Sequence, residues 1–147
     1  MTTFVFTQTV PTELISAALG VDANNKLTIN DLGKPVKLAA SNNYVVCSAT
    51  DQIDGFVGAI EPFTVNDGFS FGGVQLEGRV QAIVGANQVS TLNVGDLVVA
   101  DTQVANNTAG LPAVKQGTGV AGKESWKVIR IVTGTGVVGD TVLLERP

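Results

Sequence analysis

The clearest hydrophobic periodicity in the chain runs from Val74 to Val84. Val74, Leu76, Val80, Ala82 and Val84 fall on one side, and Gln75, Glu77, Arg79 and Gln81 on the other. A repeat of two predicts a strand with one buried and one wet face, the habit of antiparallel sheets. Gly78 interrupts the inner face, and a missing side chain there predicts a bulge or tight bend. Shorter apolar runs predict strands over 35–39, 44–49, 56–61, 97–100, 126–132 and 141–145, with 4–7 as a further one.

Turn chemistry separates these runs. Asp54-Gly55 and Asp67-Gly68 suit turns that need a positive φ. Asn24-Asn25, Asn42-Asn43 and Asn106-Asn107 suit loops, since asparagine tolerates the left-handed region. Strands at this spacing predict an all-β fold, a small antiparallel β-barrel or sandwich. One short helix fits the pattern. Thr12 is placed to cap Glu13–Leu19, Leu14, Ile15, Ala18 and Leu19 share a face, and Gly20 ends it. Ahead of it, residues 1–11 carry no charge and alternate between polar and apolar. They read as an arm laid on another subunit, or as an edge strand of the same domain. The expected organisation is an N-terminal arm with that helix over 1–20 and one barrel-like domain over 21–147.

Two segments echo each other. Val94-Gly95-Asp96-Leu97-Val98-Val99 and Val138-Gly139-Asp140-Thr141-Val142-Leu143 each set a Gly-Asp turn before an apolar strand. The structural reading is a turn whose aspartate accepts backbone N–H groups. The catalytic reading, an acid/base pair of Asp96 and Asp140, needs the two carboxylates to converge in a cleft.

Composition narrows the chemistry further. The 147 residues include no histidine and one cysteine, and only 15% are charged. Histidine is the commonest general base and metal ligand, so its absence removes the usual routes to catalysis. Low charge predicts subunit contact or a surface of neutral polar residues. The net charge of −4 and the scattered lysines and arginines give no counter-surface to nucleic acid or anionic lipid. No apolar run is long enough to span a membrane, and the first residues lack the charged and apolar regions of a secretory signal. Synthesis in a cytoplasm is the expectation. Cys47 beside Val45 and Val46 reads as a buried thiol in a strand.

Motif searches add little. Gly117 and Gly122-Lys123 have the spacing of a phosphate loop, but Glu124 stands where a hydroxyl must hold magnesium, and a strand follows instead of a helix. The pattern Gly117-Thr118-Gly119-Val120-Ala121-Gly122 lacks the strand and helix that give a dinucleotide fingerprint its meaning. Asp51, Asp54 and Asp67 do not have calcium-loop spacing. No cofactor and no metal are expected. Trp126 and Tyr44 read as core or subunit contacts before sugar-stacking rings. Phe63, Phe69 and Phe71 cluster about the Asp67-Gly68 turn, as core or as a protruding anchor.

Taken in order, several segments carry a family likeness. Gly33-Lys34-Pro35-Val36-Lys37-Leu38 leads into a first strand, and Asp54-Gly55-Phe56-Val57-Gly58-Ala59-Ile60 returns to another. The strand Val74–Val84 follows, centred on Gly78-Arg79-Val80, then Val94-Gly95-Asp96-Leu97-Val98 and the terminal Val138–Glu145. This order resembles the small bacteriophage capsid decoration (cement) proteins, over roughly Gly33 to Pro147. The resemblance does not reach 1–30, and the loop Gly110–Lys123 is longer than it leads one to expect. It implies a barrel-like domain that binds the outside of a phage head as a homotrimer, clamps neighbouring major capsid subunits, and performs no catalysis. On that reading Phe4, Phe6 and Leu14 are the candidate capsid-binding residues, since an arm ordered on a shell must bury apolar groups to offset its lost entropy. The alternative is a carbohydrate-binding module on a phage or cell surface, using Trp126 or Tyr44.

Overall fold

The computed structural model describes residues 14–19, 27–40, 43–60, 70–105, 107, 110–118 and 120–146. Among them the chain is almost entirely β, as its periodicity predicts. The first five strands are β1 (Leu14–Leu19), β2 (Pro35–Leu38), β3 (Tyr44–Val46), β4 (Gly55–Ile60) and β5 (Ser70–Gln75). They form a closed barrel in the order β1-β3-β2-β4-β5. The next five are β6 (Gly78–Val84), β7 (Val98–Ala100), β8 (Ala113–Gln116), β9 (Lys127–Ile131) and β10 (Thr141–Arg146). Their sheet runs β7-β8-β6-β10-β9. Its two edges meet at the bridge Leu97–Lys127 and at the bond from Val98 N–H to Trp126 C=O (3.0 Å), so this sheet also curls round on itself. Closure removes the exposed strand edges that invite aggregation.

Three expectations are corrected. Residues 14–19 form a strand, not a helix: β1 pairs antiparallel with β5 along its whole length and parallel with β3 at Leu19. A two-turn helix is marginal alone, whereas ladder pairing on both edges satisfies this backbone. The stretch from Leu14 to Leu19 is therefore a barrel stave and not part of an arm. The run Val74–Val84 is two strands. It breaks at Leu76-Glu77, and Gly78, at φ +93°, turns the chain out of the first barrel into the second. The alternation resumes in β6 and ends at Ala82, Ile83 and Val84, all buried where the strand lies between β8 and β10. Finally, the loop expected at Gly110–Lys123 contains β8, which completes the second sheet.

The first barrel packs Leu27, Val36, Tyr44, Val57 and Val74 inside. The larger core lies in the second barrel and takes in Ile53, Phe56 and Cys47 from the first. Phe56 meets Trp126 edge to face, with ring centroids 4.8 Å apart at 79°. Such a pair adds to the burial of both rings, and here it fuses the two barrels. Trp126 Nε1 is buried without a hydrogen-bond partner among the described residues. Buried Gln52 completes the junction, donating to Glu124 C=O and accepting from Val120 N–H.

Backbone conformation at the junction corrects one more expectation. Gly55 is not a positive-φ turn residue; it lies in β4, where an added Cβ would stand 2.6 Å from Gln75 O and from Val74 Cγ1. The positive φ falls instead on Thr50, at +76°, the sole non-glycine of this kind among the described residues. Its N–H donates to Ala100 C=O (2.9 Å), and Ala100 N–H donates to Asp51 C=O (3.0 Å), which clips the first barrel onto β7. Two substitutions should move stability in opposite directions. Gly55→Ala should destabilise by about 1–3 kcal/mol through overpacking against β5. Thr50→Gly should stabilise by up to about 1 kcal/mol by removing left-handed strain from a β-branched residue. Denaturant unfolding of both variants checks this, and equal midpoints would contradict it.

Candidate interaction surface

The described aspartates are occupied structurally. Each aspartate among the described residues, at 31, 51, 54, 96, 101 and 140, accepts a backbone N–H. In three turns the aspartate closes the loop twice. Asn93 N–H donates to Asp96 Oδ2 (2.7 Å), while Asp96 N–H donates back to Asn93 C=O (3.1 Å). Ser48 and Asp51 repeat the arrangement at 2.8 and 3.1 Å. Thr28 and Asp31 do so at 2.7 and 2.8 Å, as the capping box of a single 3-10 turn.

Asp140 goes further. Its Oδ2 accepts from Thr135, Gly136 and Val137 N–H at 2.8, 3.0 and 3.1 Å. Gly134, Gly136 and Gly139 all take positive φ, which lets the backbone curl into an anion-binding nest. The chain fills that nest with its own carboxylate. Asp96 and Asp140, the candidate acid/base pair, are therefore each held by their own turns.

Three aspartates have lowered pKa values. Burial, the largest influence on each, pushes upward and is outweighed. At Asp31 the Lys34 ammonium and Thr28 N–H win, and at Asp51 the Lys37 ammonium and Ser48 N–H. At Asp140 the three turn N–H groups win. Cys47 moves the other way: burial, helped by the Asp51 charge, pushes its thiol up to about 12, far from a nucleophile's range.

The aromatic candidates lie inside. Trp126 is 0% exposed and Tyr44 belongs to the first barrel's core, so neither offers a face to a sugar ring. Phe4, Phe6, Phe63 and Phe69 lie outside the described residues. Phe71 is a β5 residue paired with Ala18, and Leu14 opens β1 opposite Gln75. No group of three or more His, Cys, Asp or Glu that could hold a metal lies among the described residues. A cleft of about 310 Å³ separates the turn at Asn30–Lys34 from the loop before β8. Its amides are spent on the loop itself: Gln103 and Asn107 both donate to Leu111 C=O, at 3.0 and 2.6 Å.

The fold also leaves large aliphatic side chains in water. Ile29, Leu32, Leu38, Val89, Val94, Leu97, Val137 and Val138 are exposed. Four of them sit in two hexapeptides that share a Leu-x-x-x-Asp-Leu spacing, Leu27-Thr28-Ile29-Asn30-Asp31-Leu32 and Leu92-Asn93-Val94-Gly95-Asp96-Leu97. Sequence reasoning paired the second copy with Val138-Gly139-Asp140 and missed the first. The signal was the shared spacing of Leu27, Asp31 and Leu32 and of Leu92, Asp96 and Leu97. No protein-family model, curated protein or solved structure matches the chain.

The lowered carboxylates give a signed pH dependence. Their stabilisation is complete above the ordinary aspartate value of 3.8 and is lost as pH falls through the lower folded-state values. Thermal unfolding should therefore shift to lower temperature below that pH. Asp140→Asn should cost about 1–2 kcal/mol at pH 7 and converge on the parent in acid. A variant equally weakened at every pH would contradict the assignment.

Proposed function

We propose that this chain is a non-catalytic structural protein of a phage particle. It binds the outer surface of the head, where it bridges major capsid subunits and stabilises the shell. One observation carries the reading. The described aspartates are committed to backbone N–H groups, while aliphatic side chains project into water from a frame of closed sheets. A molecule so built has adhesive surface to offer and few free catalytic groups. The order of its strand and turn segments, which resembles capsid decoration proteins, supplies the partner.

The mechanics suit that work. Closed sheets fused through a shared core resist shear, because bending one strand breaks ladder bonds on both sides. A homotrimer would engage several capsid subunits together, and linked contacts raise avidity by about 10²–10⁴ without any strong individual contact. Residues 1–11 would add a further anchor through Phe4 and Phe6 once ordered on the shell.

Mixing the purified chain with expanded, undecorated heads tests the reading. Saturable co-sedimentation at a fixed ratio to the major capsid protein is expected, together with a higher bursting temperature. Removal of residues 1–11 should abolish occupancy without altering the circular dichroism. Heads that stay bare in the presence of folded, full-length chain would overturn the proposal.

A further inference from the structure

The two barrels are tied by a covalent link and a joint. The link is Leu76-Glu77, between the end of β5 and the start of β6 at Gly78. No described strand ladder passes from one barrel to the other. The joint sets residues 50–56 of the first barrel against residues carried by the second. Thr50 and Asp51 exchange backbone bonds with Ala100, and the Gln52 amide bonds Glu124 and Val120. The Asp54 carboxylate pairs with the Lys123 ammonium at 3.5 Å, and Arg146 donates to Asp54 C=O at 2.7 Å. Phe56 meets Trp126. None of these contacts requires both barrels to belong to the same chain.

The link is a bend imposed on a strand pattern. Val74, Leu76 and Val80 keep one face and Gln75, Glu77 and Arg79 the other, with no change of phase across the crossing. The buried face agrees on both sides: Val74 and Leu76 pack in the first core, and Val80 packs against the second. What turns the chain is Gly78 at φ +93°. Gln75 Nε2 spans the bend, donating to Glu77 C=O at 3.0 Å and to Arg79 C=O at 3.1 Å. Glycine takes an extended conformation as readily as a positive φ. With Gly78 extended, residues 70–84 become one strand of about 50 Å. The barrels of one chain then stand apart. Ile53 and Phe56, buried in the second barrel's core when the link is bent, lose their cover.

We infer that the joint is also a self-association surface, and that its partner is a second copy of this chain, which supplies the opposite barrel when the link is extended. Two copies then exchange barrels and remake the joint twice. The bent and exchanged forms differ at the link and in the entropy of association. A short link that spans its joint acts as an effective concentration on the order of millimolar, so the bent form prevails in dilute solution. A link that cannot bend brings that figure close to zero, and the joint forms between copies. The inference is separate from capsid binding, and its test uses no heads.

Gly78→Val in the full-length chain puts a β-branched residue where φ is +93°, a region such residues essentially do not enter. Its solution mass should be at least twice the parent's, with unchanged circular dichroism. A short Gly-Ser insertion after Glu77 in the same variant should restore the parent's mass, because a flexible link closes without the bend. Charge exchange identifies the surface. Added to Gly78→Val, Asp54→Lys and Lys123→Asp each set like charges across the joint, whereas a mixed pair carries opposite charges at both joints. Refolded together, the two should give mainly the mixed pair. A Gly78→Val chain that keeps the parent's mass, or a dimer that pairs without regard to these charges, would overturn the inference. If Gly78→Val does not fold, the parent chain refolded at high concentration carries the test. A slowly reverting fraction of doubled mass, with the same charge preference, is then expected, and an unchanged mass would overturn the inference.

Discussion

Closure of the sheets is the constraint on which the rest of this structure depends. A five-stranded sheet in water has two edges of unpaired N–H and C=O groups, and this chain removes them twice. The first barrel closes through β1, which lies between β5 and β3. The second closes through a single bridge and the bonds around it, from Gly95 to Val98 and from Trp126 to Val128. Strands as short as three residues can hold because both of their sides are paired. The turns between them must then end strands at fixed places, which is the task given to the aspartates. Fusion follows from the same economy of space: Phe56 of the first barrel completes the core of the second.

The fold class was legible in the sequence because it rests on a local signal. Alternation, aliphatic runs and Gly-Asp turns each read within a few residues, and most strands fall where those signals place them. What failed was long-range. Residues 14–19 carry a pattern that suits a helix face, and their pairing with residues 70–75 decides the strand. Leu76 continues the apolar pattern of Val74, so nothing in the alternation marks the crossing between barrels except Gly78. Ala113–Gln116 is too short to stand out from a glycine-rich loop and becomes a strand only between β6 and β7.

The surface was legible in part. The Gly-Asp echo was correctly a turn device, yet its two members lead into strands of different rank, β7 and β10 of the same barrel. The Leu-x-x-x-Asp-Leu spacing at 27–32 and 92–97 was hidden because only three of its six positions are identical. Burial decided the aromatics: Trp126 supports the junction and is closed to solvent. Asp96 and Asp140, the candidate acid and base, accept backbone N–H groups of their own turns.

Density for a whole head carrying this chain would test the account most directly. The account predicts density for the chain on the outer surface, each copy bridging neighbouring capsid subunits. Particles with no such density would contradict it.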